Sequence, residues 1–367
     1  APAAARQRVA PKQSDRPAVE TASIATLRDE HARFDRLRDP DGYLRGGVKA
    51  WAETLAANPV ADAADPALSI ATVGDLVVGR LGFVAATIQR RGVTEPALSL
   101  DGFYVSDGCK RTGIGATLLL SALETRRCLI ASGAPSPEAK GLYERVGFKE
   151  LGPLRRFLHV NRPDPIAHRL LGEGKLATAA AIAVRPIVGG HNWWLTKRLR
   201  RTNHQVTKSR AVGDWDFSCG TEEPCEGGFP ITLDQWRWVA SKRDLVRIEI
   251  RDADKLVAWA VVGGSRMRLA GTVGPWSRTA RLLDYDADDD VARRALVAYL
   301  IEHVSREQFD LLEMQVGDSA MATLCRRCRM IEKGGNCVMV RPSKRGTDDT
   351  ALDWQLRLAS GDVLINF

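Results

Sequence analysis

One stretch constrains this chain more than any other: Asp101-Gly-Phe-Tyr-Val-Ser-Asp-Gly-Cys-Lys-Arg-Thr-Gly-Ile-Gly-Ala116. Ala97–Val105 has strand character, and a polar turn follows. Gly113 and Gly115 then open an amphipathic run, Ile114–Arg127, with apolar residues at 114, 118, 119, 122 and 123. A strand that passes into a helix this way presents unpaired N–H groups and a positive dipole end, which suits phosphate. Glycine leaves room for close backbone approach, and Lys110 and Arg111 add positive charge beside it. The expected structure is a pyrophosphate cradle. Two other phosphate loops are excluded. A dinucleotide fingerprint needs a third glycine at 118, which is leucine, and a Walker A loop needs Gly-Lys-Ser/Thr after its second glycine.

Around this turn the chain alternates short elements. Ala50–Ala57 reads as helix, and Ala67–Thr72 and Leu76–Ala85 as strands joined at Val73-Gly74-Asp75. Cys128–Ser132 reads as strand, Pro137–Arg145 as helix and Phe148–Val160 as a final extended segment. A second unit begins near Asp214. Leu245–Arg251 and Leu256–Val262 form a hairpin across Asp252-Ala253-Asp254, and Arg281–Tyr285 is strand-like. Asp290–Val304 is a helix opened by an acidic run, followed by a strand (Leu311–Val316), a helix (Ala320–Cys328) and a strand (Asn336–Val340). The same order of elements is spelled twice. Between the units lies a small Ala-rich helical patch, Leu176–Val184, bounded by Gly and Pro.

The cradle resembles the signature of the GNAT superfamily, Arg/Gln-x-x-Gly-x-Gly/Ala placed five residues after a strand-ending valine. Lys110, Gly113, Gly115 and Val105 occupy those positions, while Asp107 stands where proline is usual. A second motif, Ser136-Pro-Glu-Ala-Lys-Gly-Leu-Tyr-Glu-Arg-Val-Gly-Phe148, is similar to the family's Asn-x-x-Ala-x-x-Leu-Tyr-x-x-x-Gly-Phe, with Ser136 in place of asparagine. Together they cover roughly 68–160.

The resemblance implies an α/β (α+β) protein of two GNAT-like domains, each a mixed, mainly antiparallel twisted sheet flanked by helices. The expected divisions are a disordered tail (1–20), a catalytic acyl-CoA-binding domain (21–162), a basic linker with short helices (163–213) and a degenerate second copy (214–367). Degeneracy follows from Asp286-Ala-Asp-Asp-Asp290, whose carboxylates would repel a pyrophosphate. The implied co-substrate is acetyl-CoA or another acyl-CoA. Its phosphates would meet Lys110, Arg111, Thr112, Gly113, Ile114, Gly115 and Ala116. Its pantetheine arm would pair with the main chain of Phe103, Tyr104 and Val105, and Ser136 would offer a hydroxyl. Tyr143 matches the tyrosine that protonates the leaving thiolate, with a core aromatic as the other reading. Asp101 is the candidate base or amine anchor, against a strand-edge carboxylate bonded to a loop. Strict alternation would put Asp101, Phe103 and Val105 on one face and Tyr104 on the other. The implied activity is direct attack of an amine on the thioester. The alternative is a CoA-binding protein with an eroded site.

Charge and cysteines narrow the partners. The net charge is +8, yet Arg155–Arg210 alone holds twelve Lys or Arg against Asp164 and Glu173. Either this is a solvated linker, or it meets an anionic amine acceptor such as a nucleotide-linked aminosugar. Nucleic acid is disfavoured, since only Trp193-Trp194 offers a stacking surface. No apolar run approaches the ~18 residues needed to span a bilayer. Residues 1–20 lack the apolar centre of a signal peptide, so the chain reads as cytoplasmic. Cys325 and Cys328 form a CxxC, but Cys219 and Cys225 are separated by five residues, and no metal is expected.

Overall fold

The structure is a computed structural model. Its described residues run from 17 to 343, apart from 41, 43, 45–46, 134, 173, 201–203, 216–226 and 269–275. The expected tail therefore lies mostly outside the described residues, as do Cys219 and Cys225. Its last residues, however, belong to strand β1 (Ala18–Ser23). Ser23 ends that strand and caps helix α1 (Ile24–Asp29), its Oγ accepting from Thr26 N at 3.1 Å. Helices α2 (His31–Asp35) and α3 (Val48–Ala56) follow. Strands β2 (Pro66–Val73), β3 (Leu76–Arg90) and β4 (Val93–Val105) form an antiparallel meander whose turns hold Gly74 and Gly92 at positive φ. Helix α4 (Ile114–Glu124), β5 (Cys128–Gly133), α5 (Pro137–Arg145) and β6 (Lys149–Val160) complete the half.

Helices α6 (Asp164–Leu171) and α7 (Lys175–Leu199) lead onward. The small helical patch expected at 176–184 is in fact a 25-residue helix that runs through Pro186. Ala177 and Ala181 before the proline, and Asn192 and Leu195 after it, are buried, so tertiary contacts hold both sides on course. Then come β7 (Gln205–Ser209), β8 (Gly227–Gly228), α8 (Leu233–Ala240), β9 (Leu245–Asp252), β10 (Lys255–Arg268) and β11 (Trp276–Ala287). The chain closes with α9 (Asp290–Arg306), β12 (Leu311–Val316), α10 (Ser319–Arg327) and β13 (Ile331–Arg341).

The strands form one sheet in the order β1-β2-β3-β4-β5-β13-β6-β12-β11-β10-β9-β7, with β8 on the side of β3. Among the described strands, only β4–β5 and β11–β12 pair in parallel, one pair in each half. The halves do not close separately. β13 lies between β5 and β6, antiparallel to both, and β6 runs antiparallel to β12. Each half thus lends its last strand to the other. A break at 162 or 214 does not separate two sheets, and β7, from the expected linker, pairs with β9.

Side chains follow the exchange. Phe157 of β6 is buried in the C-terminal core with Leu312, Met314 and Met330. Met339 of β13 is buried beneath α4 with Leu118, Tyr143 and Phe148. A polar seam runs through the same place. Glu313 of β12 is fully buried, 2.8 Å from Arg156 of β6, and accepts hydrogen bonds from Arg281 of β11 at 3.3 and 3.4 Å. Gln315 also donates to Glu313 (3.2 Å), and Asn336 of β13 donates to Gln315 (2.8 Å). Burial alone would raise the Glu313 carboxyl, but Arg281 and Arg156 outweigh it and hold it below its ordinary value.

A group depressed in the folded state stabilises above its unfolded pKa, and that contribution is lost as pH falls through the folded value. Glu313→Gln should therefore cost roughly 3–5 kcal/mol at neutral pH by leaving two guanidinium groups uncompensated. Urea unfolding would measure it, and the gap to wild type should shrink once pH drops below the ordinary 4.5.

Candidate active site

The site is built from a parting of strands. The β4–β5 ladder runs from Ala97↔Cys128 to Leu100↔Ala131 and stops. Beyond it, 101–105 stays with β3 while β5 ends at Gly133. The gap is a cavity of about 390 Å³ lined by Asp101, Phe103, Ser136 and Tyr143, with Cys337 and Met339 of β13 contributing as well. Expected site residues from β4 and from α5 with its N-cap therefore meet in one place. Cys337 and Met339 come from the other half of the chain, and nothing local in the sequence marks them.

The strand that borders the gap is not regular. Asp101 pairs with Gly82 and Tyr104 with Arg80, so Gly102 and Phe103 stand opposite the single residue Leu81. Gly102 takes φ 57°, in the left-handed region. This β-bulge breaks the alternation. Gly82 and Arg80 share a face, so Asp101 and Tyr104 do too, and the grouping of Asp101 with Phe103 and Val105 is corrected. Arg80 lies over the Tyr104 ring at 4.7 Å. Phe103 turns to the other side, 5.8 Å from Tyr143. An isolated Gly within a strand pattern was the available sign.

At the mouth of the gap stands the start of α4. Arg111 (φ 66°) and Gly113 (φ 91°) turn the chain through left-handed conformations, and no side chain caps the helix. Its first N–H groups, on Ile114, Gly115 and Ala116, are thus directed out of the helix end. The two glycines serve different needs. Gly113 is there for its φ. A Cβ on Gly115 would meet Phe103 at 3.3 Å, Leu142 at 3.4 Å and Val105 at 3.5 Å, so that glycine seats α4 against β4 and α5. Gly79 does the same on β3, where a Cβ would come 2.8 Å from Ile114. Thr112 is engaged locally, its Oγ1 donating to Cys109 O at 2.6 Å.

The charges at the mouth are mixed. Lys110 is paired with Asp107 at 2.8 Å, which raises its pKa. Ser136 caps α5, its Oγ accepting from Ala139 N at 3.2 Å. Glu138 is held below its ordinary range by backbone and Ser136 hydrogen bonds, with Lys110 and Arg111 adding their field. Deeper in, burial lifts the Tyr143 hydroxyl well above its ordinary value, and Cys337 nearby adds to the effect. The Cys337 thiol is itself pushed up by burial. The cavity thus favours the neutral form of a phenol and of a thiol alike.

The corresponding place in the second half is closed. Asp289 caps α9, its carboxylate accepting from Ala292 N at 2.7 Å, and Asp290 occupies the first turn. Part of the basic segment is spoken for. Arg156 meets Glu313, Arg185 meets Asp164, Arg200 meets Glu302 and Arg210 meets Asp244. Among the described residues, no three His, Cys, Asp or Glu are grouped to hold a metal. Cys325 and Cys328 are buried, and burial pushes the Cys328 thiol up to about 11.

No family model and no curated protein matches this sequence. Solved structures do. N-myristoyltransferase from Saccharomyces cerevisiae, with bound myristoyl-CoA, superposes with a TM-score of 0.53 over 97% of this chain and 92% of that one, at 11% identity. This chain therefore shares the fold of that enzyme. A GCN5-related N-acetyltransferase from Anabaena variabilis covers 90% of this chain and 73% of its own, with a TM-score of 0.48 and 12% identity. A probable N-acyltransferase from Enterococcus faecalis covers 89% and 73%, with 0.49 and 10%. At these identities the shared property is the fold.

The Asp107–Lys110 pair sets a measurable expectation. Asp107→Asn should tighten CoA binding by about two- to fivefold at low salt, and less at high salt, because the ion pair is exposed and screened. Gly113→Glu should abolish binding by adding bulk and negative charge at a left-handed position. Calorimetry on the two variants checks both.

Proposed function

We propose that the protein is an acyl-CoA-dependent N-acyltransferase that binds one acyl-CoA, in its N-terminal half. The observation that carries this reading is the gap between β4 and β5, lined by Asp101, Phe103 and the buried Tyr143, with the uncapped start of α4 packed beside Phe103 of its wall. The pyrophosphate would rest on the N–H groups of residues 114–116, with Lys110 and Arg111 beside it. The pantetheine arm would lie along the main chain of Phe103, Tyr104 and Val105, beyond the end of the β4–β5 ladder.

The chemistry follows from the cavity's polarity. The amine attacks the thioester carbon, the C–S bond breaks, and the proton shed by the amine must leave while the sulfur gains one. Tyr143 stays protonated and can donate to the departing sulfur. Its raised pKa does not spoil the match, because the same burial raises a thiol in that cavity, as it does Cys337. Asp101, on the cavity wall, is the residue we assign to hold the amine and accept its proton. The Phe103–Tyr143–Phe148 rings, with centroids 5.8 and 5.0 Å apart, pack the inner wall and support a short acyl group such as acetyl.

For the acceptor, we read a small primary amine. An anionic one, such as a nucleotide-linked aminosugar, is supported by the net charge of +8. The carboxylate partners of Arg156, Arg185, Arg200 and Arg210 remove part of that support. A panel of anionic and cationic amines with acetyl-CoA, followed by thiol release, tests the reading. Absence of turnover alongside intact CoA binding would favour an eroded, purely binding site. In the working enzyme, Tyr143→Phe should leave CoA affinity nearly unchanged and lower kcat about 10²-fold. Asp101→Asn should reduce the rate most at low pH, where the amine carries an extra proton. Wild-type pH–rate profiles in both variants would remove these assignments.

A further inference from the structure

Helix α7 inverts the usual arrangement of a surface helix, whose apolar stripe faces the core and whose polar face meets water. Its buried positions, Ala177, Ala181, Asn192 and Leu195, lie on one side. At 100° per residue, Leu176, Ile182, Ile187, Trp193 and Trp194 fall within an arc of roughly 140° on the opposite side. They are exposed, Leu176 and Ile187 at 70% and Trp193 at 61%, and Leu170 near the end of the preceding helix α6 is exposed at 74%. From Leu176 to Thr196 the only Lys, Arg, Asp or Glu is Arg185, which is tied to Asp164. A contiguous apolar face of this kind is covered by something in the working protein.

Its charge says what. Residues 162–200 carry seven Lys or Arg against Asp164 and Glu173. At the C-terminal end of the helix, Lys197 lies over the Trp193 ring at 4.3 Å and Arg198 over the Trp194 ring at 5.1 Å. Two copies of so basic a face would repel each other. An anionic lipid surface would not, because it offers apolar chains below and negative headgroups above. Exposed indoles beside Lys and Arg are suited to that boundary. The helix cannot cross a bilayer: no helix among the described residues is long and apolar enough, and one side of α7 is held by the protein. Asn192 Nδ2 donates to Val160 O at 3.4 Å, and Leu195 is buried in the C-terminal core. That leaves an in-plane orientation.

We propose that the outer face of α7, with the end of α6, docks in the plane of an anionic membrane surface. Trp193 and Trp194 sit at the headgroup level, and Lys197 and Arg198 meet the negative headgroups. The proposal is independent of acyl transfer.

The test is co-sedimentation of the full chain with vesicles of phosphatidylcholine plus phosphatidylglycerol, and with phosphatidylcholine alone. Binding to the anionic vesicles should be at least about tenfold stronger and should weaken with added salt. Trp193→Ser/Trp194→Ser should lower it about tenfold or more. Ile187→Glu should do the same from a different turn of the helix. Both variants alter exposed residues, so melting temperature and CoA affinity should stay at wild-type values, which separates lost docking from lost folding. Equal binding to neutral and anionic vesicles, or undiminished binding by both variants, would overturn the proposal. So would light scattering that shows a dimer which either variant dissolves, since the face would then belong to a second copy.

Discussion

The buried carboxylate of Glu313 is the contact on which the rest of this architecture turns. Arg281 reaches it from the neighbouring strand of the same half, and Arg156 reaches it from the borrowed strand β6. Fully buried charge is tolerated only when it is paired on several sides. Here the partners come from β6, β11 and β12, and Asn336 of β13 extends the network through Gln315. The exchange of last strands is therefore written into a polar seam as well as into the cores. A shift of β6 by one residue would turn Arg156 to the other face of the sheet and remove it from Glu313.

The seam matters to the site because β13 is both its product and a wall of the cavity. Cys337 pairs with Gly133 on one side and Pro153 on the other. That placement makes β5 an interior strand and leaves β4 as the strand that departs from it. Without β13, β5 would carry an open edge and Tyr143 would lose the neighbour that helps raise its pKa. The cavity of the first half thus depends on residues nearly two hundred positions later in the chain.

Much of this was legible in the sequence, for local reasons. Gly113 and Gly115 marked the helix start, because a left-handed turn and a close helix–strand contact both demand glycine. Pro137–Arg145 and Leu311–Val316 fall where capping residues and apolar runs put them. Other features were hidden, each by a competing effect. The bulge at Gly102 reversed the face of Asp101, since alternation holds only along a regular ladder. Pro186 suggested an end to α7, but anchored residues on both sides carried the helix through. The strand exchange left no local trace at all. A strand that pairs with its own half and one that pairs with the other half need the same alternation.

The two halves differ in how one helix begins. Helices α4 and α9 both follow a strand that pairs in parallel with the next strand of its half, and both begin beside that strand's end. At α4 the residue before the helix is Gly113, which has no side chain to offer the exposed N–H groups. At α9 it is Asp289, whose own carboxylate satisfies Ala292 N. The same dipole and the same unpaired donors are present in both. In one half no side chain takes them, and in the other Asp289 satisfies one of them. Most of α9 is correspondingly buried, including Leu296, Leu300 and Val304. The second half contributes a core for α9, a partner for β6 and the strand that walls the cavity.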